Sequence, residues 1–515
     1  MSSLKEVVVS RASAKQRMGR AGRVRPGHCW RLYSQEFLES ALVHENPTPE
    51  IRRVPLQEVV LQVLLLKFGL PDVFLSQCLE PPSMSQVRTS VNILLDIKAV
   101  LPERTLPLTA LGYHLAQMPV DVRIGKMLIT ASLLNCVEPA LTIAATLAGK
   151  SPFVFPPNKR EESDIAHNSF TSSYNYTMTA EKYQIALPFY RRADSHYKRD
   201  REDLTPPNDV FFSDHLACVN AYNLWEKIYT QYGVNAAYSF CREKYLSHPV
   251  LSEMMKLRDS FKSHLRSAGF LPPLPRTNGT DNEEDEDEDD DSDRLVVATA
   301  SSTTSSVLES DPRSNSLSPS ESSYGIMRCA LCAALYPQVV RVIKVEDQAR
   351  KAVKKGTSRK EKASLRIVQG DGAEVHVHPS SLTAKYVKYV LEGGQGAGQG
   401  QGQKRSKDAY IVYHKKMATT RTYLHDCTVV PAAAILLFGG EILISRIRKG
   451  QNGDAGVTVT VGSWIHFKMN ELHAVLFRRL QWEIELLLRM KVEDPLIDVT
   501  KKQAVLVKVI ETLLE

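Results

Sequence analysis

The chain has 515 residues, 43% of them hydrophobic, which is enough for three or four domains with cores of their own. Its longest uncharged apolar runs are far shorter than a bilayer is thick, so the composition excludes a membrane-spanning protein and favours a soluble one. The formal charge of +7 conceals an asymmetry, because residues 281–293 hold 11 carboxylates; without them 47 acidic side chains face 65 basic ones, a net +18. A body this basic predicts a polyanionic partner, with nucleic acid ahead of an acidic membrane.

The eight cysteines are scattered through the chain and no signal peptide precedes them, which indicates a reducing, intracellular compartment. We therefore expect a cytoplasmic protein, with the nucleus as the alternative. Cys329 and Cys332 form a C-x-x-C pair, but neither a second pair nor a histidine cluster accompanies it. Core packing within an apolar helix is the favoured interpretation over zinc, and the sequence predicts no metal site.

Near the start of the chain, the run QRMGRAGR occupies residues 16–23. Ser10 is a residue type that caps helices, so a helix is predicted to begin there and to continue into this run. On such a helix Gln16, Arg20 and Arg23 would share one face, since they are spaced i, i+4 and i+7. The face would present one amide and two guanidiniums, all of which donate hydrogen bonds to phosphate oxygens.

The same run contains Gly19 and Gly22. Because glycine has no side chain, another domain and a nucleotide can approach the backbone closely there. The arrangement suits stabilisation of the charge that develops on a phosphoryl group during transfer. The alternative is a basic surface helix packed through its small residues. Arg17 points elsewhere on the helix, and a structural ion pair is its favoured role.

The segments around this helix give weaker signals. Residues 1–9 favour an extended segment, and residues 27–33 a strand. A strongly apolar helix is predicted over residues 51–68 and a second one over 84–99. Apolar and polar side chains alternate over residues 100–115, a pattern that predicts a β-wing.

Residues 119–270 are mostly helical by their periodicity. They include Asp214 and His215, an acidic residue next to a histidine, and such a pair can be catalytic. A histidine at a helix end with its hydrogen bonds satisfied is the favoured interpretation, because no nucleophile accompanies the pair. An insertion from about 167 to 208 interleaves tyrosines with basic residues. It would either stack on bases and neutralise phosphates or be a solvated loop.

Residues 277–323 are an acidic tract followed by serine-rich sequence, and we expect them to be disordered. Short strands separated by turns then predict a small barrel. The predicted strands are 339–345, 366–368, 374–377, 409–413, 420–427, 435–438, 457–461 and 464–467. Amphipathic helices over 472–491 and 497–514 complete the chain and are expected to pack back on the body.

The run at 16–23 resembles motif VI of superfamily 2 helicases, in the Q-R-x-G-R-A-G-R form of the DEAH/RHA branch. The resemblance covers almost the whole chain and implies a multidomain protein, mainly α with β. In order, it implies the end of a second RecA-like α/β domain at 1–47, a winged helix at 48–118, a helicase-associated helical (ratchet) bundle at 119–276 with an insertion at 167–209, the disordered insertion 277–323, and an OB-like β-barrel with C-terminal helices at 324–515.

By this resemblance Gln16, Arg20 and Arg23 reach the γ-phosphate of ATP, with Arg20 and Arg23 as arginine fingers and Gly19 beside the nucleotide. The chain has neither a G-x-x-x-x-G-K-[ST] run nor a D-E-x-H run. ATP and Mg²⁺ are therefore expected to be bound mainly by parts outside this chain. The winged helix is expected to act as a scaffold for the RecA domains, with nucleic-acid binding as its alternative.

OB surfaces bind single strands through basic grooves and polar donors. The candidates for contact with RNA are His378, Ser380, Ser381, Lys415, Thr420 and Arg421. For each of them a structural role in a barrel turn is the alternative.

The implied function is the C-terminal part of an ATP-dependent RNA helicase that moves 3′ to 5′ and unwinds structured RNA. Its expected partners are RNA and the ribosome or a messenger ribonucleoprotein, and we expect a monomer. Two alternatives stay open: a non-catalytic platform that binds RNA or protein, and a helicase directed at DNA.

Overall fold

The computed structural model describes residues 2–3, 8–40, 43–171, 212–273, 321–345, 364–370, 372–384, 409–419, 421–446 and 456–514. Most of the predicted insertion at 167–209 and of the predicted disordered stretch 277–323 lies outside these ranges. None of the helices in the described ranges is both long enough and apolar enough to cross a bilayer.

The first half of the chain is helical. Its helices are α1 (Arg11–Met18), α2 (Gln35–Glu39), α3 (Gln57–Leu65), α4 (Pro71–Ser76), α5 (Met84–Asp96), α6 (Ala110–Gln117), α7 (Val122–Leu133), α8 (Val137–Ala148), α9 (Arg160–Asn168), α10 (Asp214–Glu243) and α11 (His248–Ser267). A two-residue strand, β1 (Ser2–Ser3), precedes them.

The second half combines strands and helices. It contains α12 (Glu321–Leu335), β2 (Val339–Val345), β3 (Ser364–Val368), β4 (Glu374–Val377), β5 (Ala409–Ala418), β6 (Thr422–Val430), α13 (Ala432–Phe438), β7 (Ile442–Arg446), β8 (Val457–Val461), β9 (Ile465–Met469), α14 (Glu471–Glu493) and α15 (Thr500–Leu514).

Helix α1 begins as predicted, because the Ser10 hydroxyl accepts a hydrogen bond from the Ser13 amide at 3.2 Å. It ends at Met18, so the prediction that Gln16, Arg20 and Arg23 share one helical face is wrong. Glycine is costly inside a helix, and the turns after Met18 are exposed and gain no packing that would offset this cost.

The predicted strand at 27–33 is also absent, since these residues have no regular secondary structure. A strand is stable only when its backbone pairs with a neighbour. Here Trp30 is 86% and Leu32 is 99% exposed, and neither lies against a sheet in the described part of the chain.

Residues 100–115 form less β-structure than predicted. A single antiparallel bridge joins Val100 to Leu108, and α6 begins directly afterwards. Thr109 caps α6 by accepting a hydrogen bond from the Gly112 amide. A Cβ on Gly112 would lie 2.0 Å from the Ala99 carbonyl oxygen, so only glycine allows the helix to approach the bridge this closely.

The α3–α6 region contacts α14 through α6 and through the segment between α5 and α6. His114 in α6 contacts the Val492 carbonyl at 2.9 Å through Nε2, and Lys98 forms an ion pair with Glu485; both partners lie in α14. These two contacts join the α3–α6 region to α14.

Helices α7, α8, α10, α11 and α12 form the main core, as the periodicity predicts for the middle of the chain. Trp225 and Tyr222 of α10 are its largest fully buried side chains. Cys329 and Cys332 are fully buried there, which fits core packing. Helix α10 is broken at Gly233, whose φ of +80° is not helical.

Strands β2–β6 close into a barrel, because β5 pairs with both β2 and β6. The remaining pairs among these five strands are antiparallel β2–β3 and β3–β4 and parallel β4–β6, and β1 pairs in parallel with the end of β5. The barrel core contains Val340, Val342, Ile367, Val375, Ile411, Tyr413, Leu424 and Cys427. A separate antiparallel sheet has the order β7–β8–β9.

The predicted strands 339–345, 374–377 and 457–461 are confirmed with the same bounds. The predicted strand 435–438 is wrong, since these residues belong to helix α13. The sequence Ala432–Phe438 is rich in alanine and leucine, which favour a helix, and a short apolar run does not distinguish the two structures by its period.

One carboxylate joins the helical core to the barrel. Asp214, at the start of α10, accepts hydrogen bonds from the Ser381 hydroxyl at 2.6 Å, the Leu382 amide at 2.8 Å and the Cys427 amide at 2.9 Å. The Thr383 amide lies 3.4 Å away as a weaker donor. Burial raises the pKa of Asp214 to about 6, so the group is ionised at neutral pH and satisfies these donors as a carboxylate.

The two residues beside it complete the junction. His215 is 3% exposed, and its Nδ1 lies 2.7 Å from the Thr428 hydroxyl, which also lies 2.7 Å from the Ser213 hydroxyl. Burial lowers the pKa of His215 to about 4, so the ring is neutral. The interpretation of His215 as a satisfied helix-end histidine holds for Nδ1 only, because its buried Nε2 has no hydrogen-bond partner among the described residues. We call Ser213, Asp214 and His215 with their barrel partners the junction.

We expect Asp214→Asn to destabilise the junction by about 1–3 kcal/mol, because an amide NH₂ cannot accept a hydrogen bond and leaves at least one buried donor unsatisfied. Chemical unfolding at pH 7, followed by the fluorescence of buried Trp225, measures the change. Asp259→Asn, at an exposed position of α11, is the control and should leave the midpoint unchanged. Equal midpoints for both variants would contradict the role assigned to Asp214.

Candidate nucleic-acid interface

A group of aromatic and imidazole rings lies on the outside of the barrel, where β4 and β6 run side by side. Their parallel register places His376 beside Tyr423, and the His378 amide donates to the Leu424 carbonyl at 3.0 Å. Because side chains alternate along a strand, the rings of 376, 378, 423 and 425 project to one face while Leu424 projects into the core. We call His376, His378, Tyr423 and His425 the ring surface.

The rings contact one another directly. His378 stacks on His425 with centroids 4.3 Å apart and planes 27° apart. Tyr423 meets His378 edge-on at 5.6 Å and lies 6.2 Å from His376. Offset stacked and edge-to-face contacts are the favoured arrangements of aromatic rings, so the surface is mutually supported rather than four independent side chains.

The tautomer of His378 follows from its neighbours. The Ser380 amide lies 3.2 Å from Nδ1 and donates to it, and the Ser380 hydroxyl lies 2.6 Å from the same atom. With Nδ1 used as an acceptor, a neutral ring carries its proton on Nε2. Ser380 therefore positions the imidazole with Nε2–H as a donor.

Both stacked imidazoles are neutral at pH 7. Burial lowers the pKa of His378, and His425 and Arg160 lower it further. Burial also lowers the pKa of His425, with Asp426 opposing and Lys415 reinforcing the shift. The result is an uncharged cluster of rings with cations at its border, and aromatic rings beside cations are the combination that binds single-stranded nucleic acid.

Strand β5 and the turn that follows it supply the cations. Lys415 is exposed and lies opposite His425 in the antiparallel register, and Arg421 is exposed at the turn between β5 and β6. Asp426 has a φ of +54°, which interrupts the alternation, so that Cys427 faces the core although His425 faces outwards. This local distortion keeps the ring surface and the barrel core on opposite sides of one strand.

The sequence-based candidates divide into three groups. His378, Ser380, Lys415 and Arg421 lie in or around the ring surface. Ser381 is only 8% exposed and donates its hydroxyl to Asp214, so its structural alternative fits better than contact with RNA. Thr420 lies outside the described residues.

Three members of the ring surface were not predicted as candidates, namely His376, Tyr423 and His425. The available signal was their spacing, since 376 and 378 are two residues apart, as are 423 and 425. Residues spaced by two lie on one face of a strand. Arg160, from α9, is a fourth contributor that no local pattern indicates.

The motif residues lie around the end of α1. Gln16, Gly19, Arg20 and Arg23 are all exposed. Arg17 is exposed as well, and the ion pair predicted for it is not found in the described ranges. Their amide and guanidinium groups are donors that fit phosphate oxygens chemically. No group of three or more histidine, cysteine or acidic side chains arranged for a metal occurs in the same ranges.

Arg11 joins the start of α1 to the segment that follows the motif. Its guanidinium donates to the carbonyls of Leu38 and Glu39 at 3.0 Å and contacts Glu45 at 3.3 Å. The Arg11 and Ala12 amides donate to the carbonyls of residues 44 and 45. The N-terminal end of α1 is thus fixed by hydrogen bonds, while its C-terminal end, which carries the motif, is exposed to solvent.

Comparison with protein families gives three matches along the chain. Residues 121–218 match the ratchet-like helicase associated domain (HA2), residues 327–442 match an oligonucleotide/oligosaccharide-binding (OB)-fold, and residues 457–515 match a C-terminal domain in RNA helicases. The OB match contains the whole ring surface, and the HA2 match ends just past the junction.

The curated relatives are helicases. The ATP-dependent DNA/RNA helicase DHX36 of Bos taurus is 32% identical over 95% of this chain and 37% of its own length. The putative ATP-dependent RNA helicase DHX57 of Homo sapiens is 34% identical over 97% of this chain and 30% of its own length. The ATP-dependent RNA helicase DHX29 of Homo sapiens is 30% identical over 96% of this chain and 28% of its own length. The chain thus spans about a third of the length of these relatives.

We expect Tyr423→Ala to weaken binding of single-stranded RNA, because loss of one base stack costs about 1–3 kcal/mol, or roughly five- to 150-fold in Kd. Fluorescence anisotropy with a labelled oligonucleotide measures this on the full chain. Tyr113→Ala, at a 48% exposed position of α6, is the matched control. Unchanged binding by Tyr423→Ala would remove the ring surface from the interface.

The salt dependence of RNA binding tests the cation at the border of the ring surface. Lys415→Gln should lower the slope of log Kd against log salt by roughly 0.7, and Lys508→Gln should not.

A second prediction concerns pH. The lowered pKa values of His378 and His425 mean that both rings gain charge only below the ordinary histidine range of about 6.5. Phosphate favours the imidazolium, so RNA should bind more tightly as the pH falls from about 7.5 to 5.5, with proton uptake on binding. The double variant His378→Gln and His425→Gln should flatten this dependence. If the variant keeps the full pH dependence, other groups are responsible.

Proposed function

We propose that this chain, which is the C-terminal part of a DEAH/RHA-type helicase, holds single-stranded RNA for an enzyme that moves 3′ to 5′ and unwinds structured RNA at the expense of ATP. The observation that carries the proposal is the ring surface, a neutral stack bordered by Lys415 and Arg421 on a barrel that matches the OB-fold family. The names of the relatives support both ATP dependence and action on RNA.

The ring surface would bind RNA by stacking, with Nε2–H of His378 as a donor to a base edge or a phosphate. Lys415 and Arg421 would neutralise the backbone on either side. Such contacts do not depend on base identity, since every base has a flat face. That property suits an enzyme that must pass along a strand of varied sequence.

The junction would transmit force between the domains that hold RNA. Asp214 and His215 tie α10 of the helical core to the turn 381–383 and to β6. Both tied segments adjoin the ring surface in sequence. A movement imposed on the helical core would therefore move the RNA-binding surface with it.

The motif at the end of α1 would complete an ATP site formed mainly by protein outside this chain. Gln16, Arg20 and Arg23 would contact the γ-phosphate, with Gly19 allowing close approach. Mg²⁺ would likewise be bound mainly by protein outside this chain, where it would supply positive charge beside the phosphates. The near-complete exposure of Val24, Trp30 and Leu32 supports a surface that packs against another part of a longer protein, as the end of a RecA-like domain would.

The remaining assignments complete the proposal. The α3–α6 region is the winged helix and a scaffold, and the domain limits are those inferred from the sequence. We place the protein in the cytoplasm, with the nucleus as the alternative, as a monomer that acts on messenger ribonucleoprotein or at the ribosome. DNA is the second candidate strand, because one relative is named a DNA/RNA helicase.

We expect Arg20→Ala and Arg23→Ala each to lower RNA-stimulated ATP hydrolysis by about 10³-fold or more in a longer protein that contains the ATP-binding domain. RNA binding should change little, because both arginines are distant in sequence from the barrel. Arg17→Ala, at an exposed position of the same segment, is the control. ATPase activity retained in both variants would remove the arginine-finger assignment. No RNA-stimulated hydrolysis in the unmodified protein would favour the binding-platform alternative.

A further inference from the structure

The interruption of helix α10 at Gly233 lies on the protein surface. Gly233 has a φ of +80° and a ψ of −177°, a conformation that glycine adopts without strain and other residues do not. A Cβ at this position would have no neighbouring atom within 4 Å, so packing does not enforce the break. Residues 230–235 are all exposed. The break therefore depends on contacts that join the two arms of the helix, residues 214–232 and 234–243.

His248, the first residue of α11, contacts both arms. The indole of Trp225, in the first arm, donates its N–H to Nδ1 of His248 at 3.1 Å. Tyr238, in the second arm, lies against the same imidazole, with ring centroids 3.9 Å apart and planes 32° apart. His248 is buried and Trp225 is fully buried, whereas Tyr238 is 52% exposed. One buried ring thus connects the two arms across the break, and we call Trp225, Tyr238 and His248 the clasp.

The contact with Trp225 fixes the protonation state of His248. An indole nitrogen donates and does not accept, so Nδ1 must carry a lone pair rather than a proton. The proton of the neutral ring is then on Nε2, 3.5 Å from the Ser252 hydroxyl. An imidazolium has a proton on both nitrogens, so its Nδ1–H would face the indole N–H and the hydrogen bond would be lost. The clasp therefore requires a neutral histidine.

The surroundings of His248 do not favour the charged ring. Burial lowers the pKa of His248 below its ordinary value. The titratable groups that face the ring are the phenols of Tyr229 and Tyr238 from α10, and α11 contributes the Ser252 hydroxyl. No carboxylate forms an ion pair with this imidazole in the part of the chain that the structure describes. The ring takes up a proton more readily once the clasp is open, so a fall in pH favours opening.

We propose that the clasp is a proton-controlled switch in the helical core: neutral His248 holds the break in α10 closed, and protonation of the ring releases Tyr238 and the exposed residues 230–235. Ala237 and Phe240 are fully buried, so the release is local and the second arm stays packed on the core. The first arm would then no longer be joined to the second through His248. The proposal depends on neither RNA binding nor ATP hydrolysis, so it can fail while the helicase assignment holds.

The fluorescence of Trp225 tests the proposal. The triple variant Trp30→Phe, Trp464→Phe and Trp482→Phe leaves Trp225 as the single tryptophan of the full chain. We expect its emission to change as the pH falls from about 7.5 to 5, with a midpoint below about 6.5, because the indole loses its acceptor. Adding His248→Gln should abolish the change, since the glutamine carbonyl accepts the indole N–H and does not titrate. Constant emission of the single-tryptophan chain over this range would overturn the proposal.

Hydrogen exchange locates the motion. At about pH 5.5 the amides of residues 230–238 should exchange about five-fold faster or more in the unmodified chain than in His248→Gln, and at about pH 7.5 the two rates should agree. Comparison at one pH removes the pH dependence of intrinsic exchange. If His248→Gln is unstable, the unmodified chain still decides, because exchange of residues 230–238 relative to residues 254–265 of α11 should rise on acidification.

Two control variants separate the clasp from other histidines. His473→Gln, at an exposed position of α14, should keep the full response of fluorescence and exchange. The double variant His378→Gln and His425→Gln should keep it as well, although it changes the ring surface. A response that survives in a folded His248→Gln variant would overturn the proposal. So would a fluorescence change without faster exchange at the break.

Discussion

The arrangement of the second half of the protein depends on one enclosed carboxylate. Asp214 accepts hydrogen bonds from a hydroxyl and from backbone amides on two separate segments of the barrel, while its own backbone begins the longest helix of the core. A charged group in a dry environment is stable only when its hydrogen-bonding capacity is filled. The same requirement therefore fixes the helix, the turn 381–383 and strand β6 relative to one another.

The ring surface is a consequence of this constraint. His378 lies three residues before the turn that Asp214 holds, and His425 lies two residues before the amide of Cys427 that Asp214 also holds. Two rings on different strands can stack at 4.3 Å only if both strands are fixed in register. The interaction that joins two domains thus also sets the geometry of the surface that would meet RNA.

Local signals in the sequence predicted much of the fold. The alternation in Val339–Val345 and Val457–Val461 predicted strands with correct bounds, and the Ser10 cap predicted the start of α1. The predictions for the end of α1 and for residues 435–438 were wrong, because glycine disfavours continuation of a helix and because a short apolar run does not distinguish a strand from a helix by its period. Tyr423 and His425 were missed since the pairing of β4 with β6 is not local, and Ser381 looked available because its partner Asp214 lies 167 residues earlier.

Helix α10 extends from the junction as a long rigid element. Between Asp214 and the break at Gly233, 19 residues of continuous helix extend about 28 Å. A rod of that length turns a small rotation at its base into a large displacement at its tip, so that a tilt of about 10° moves the far end by about 5 Å. That distance is comparable to the separation of successive nucleotides in a strand, and the glycine marks where the rigid arm stops.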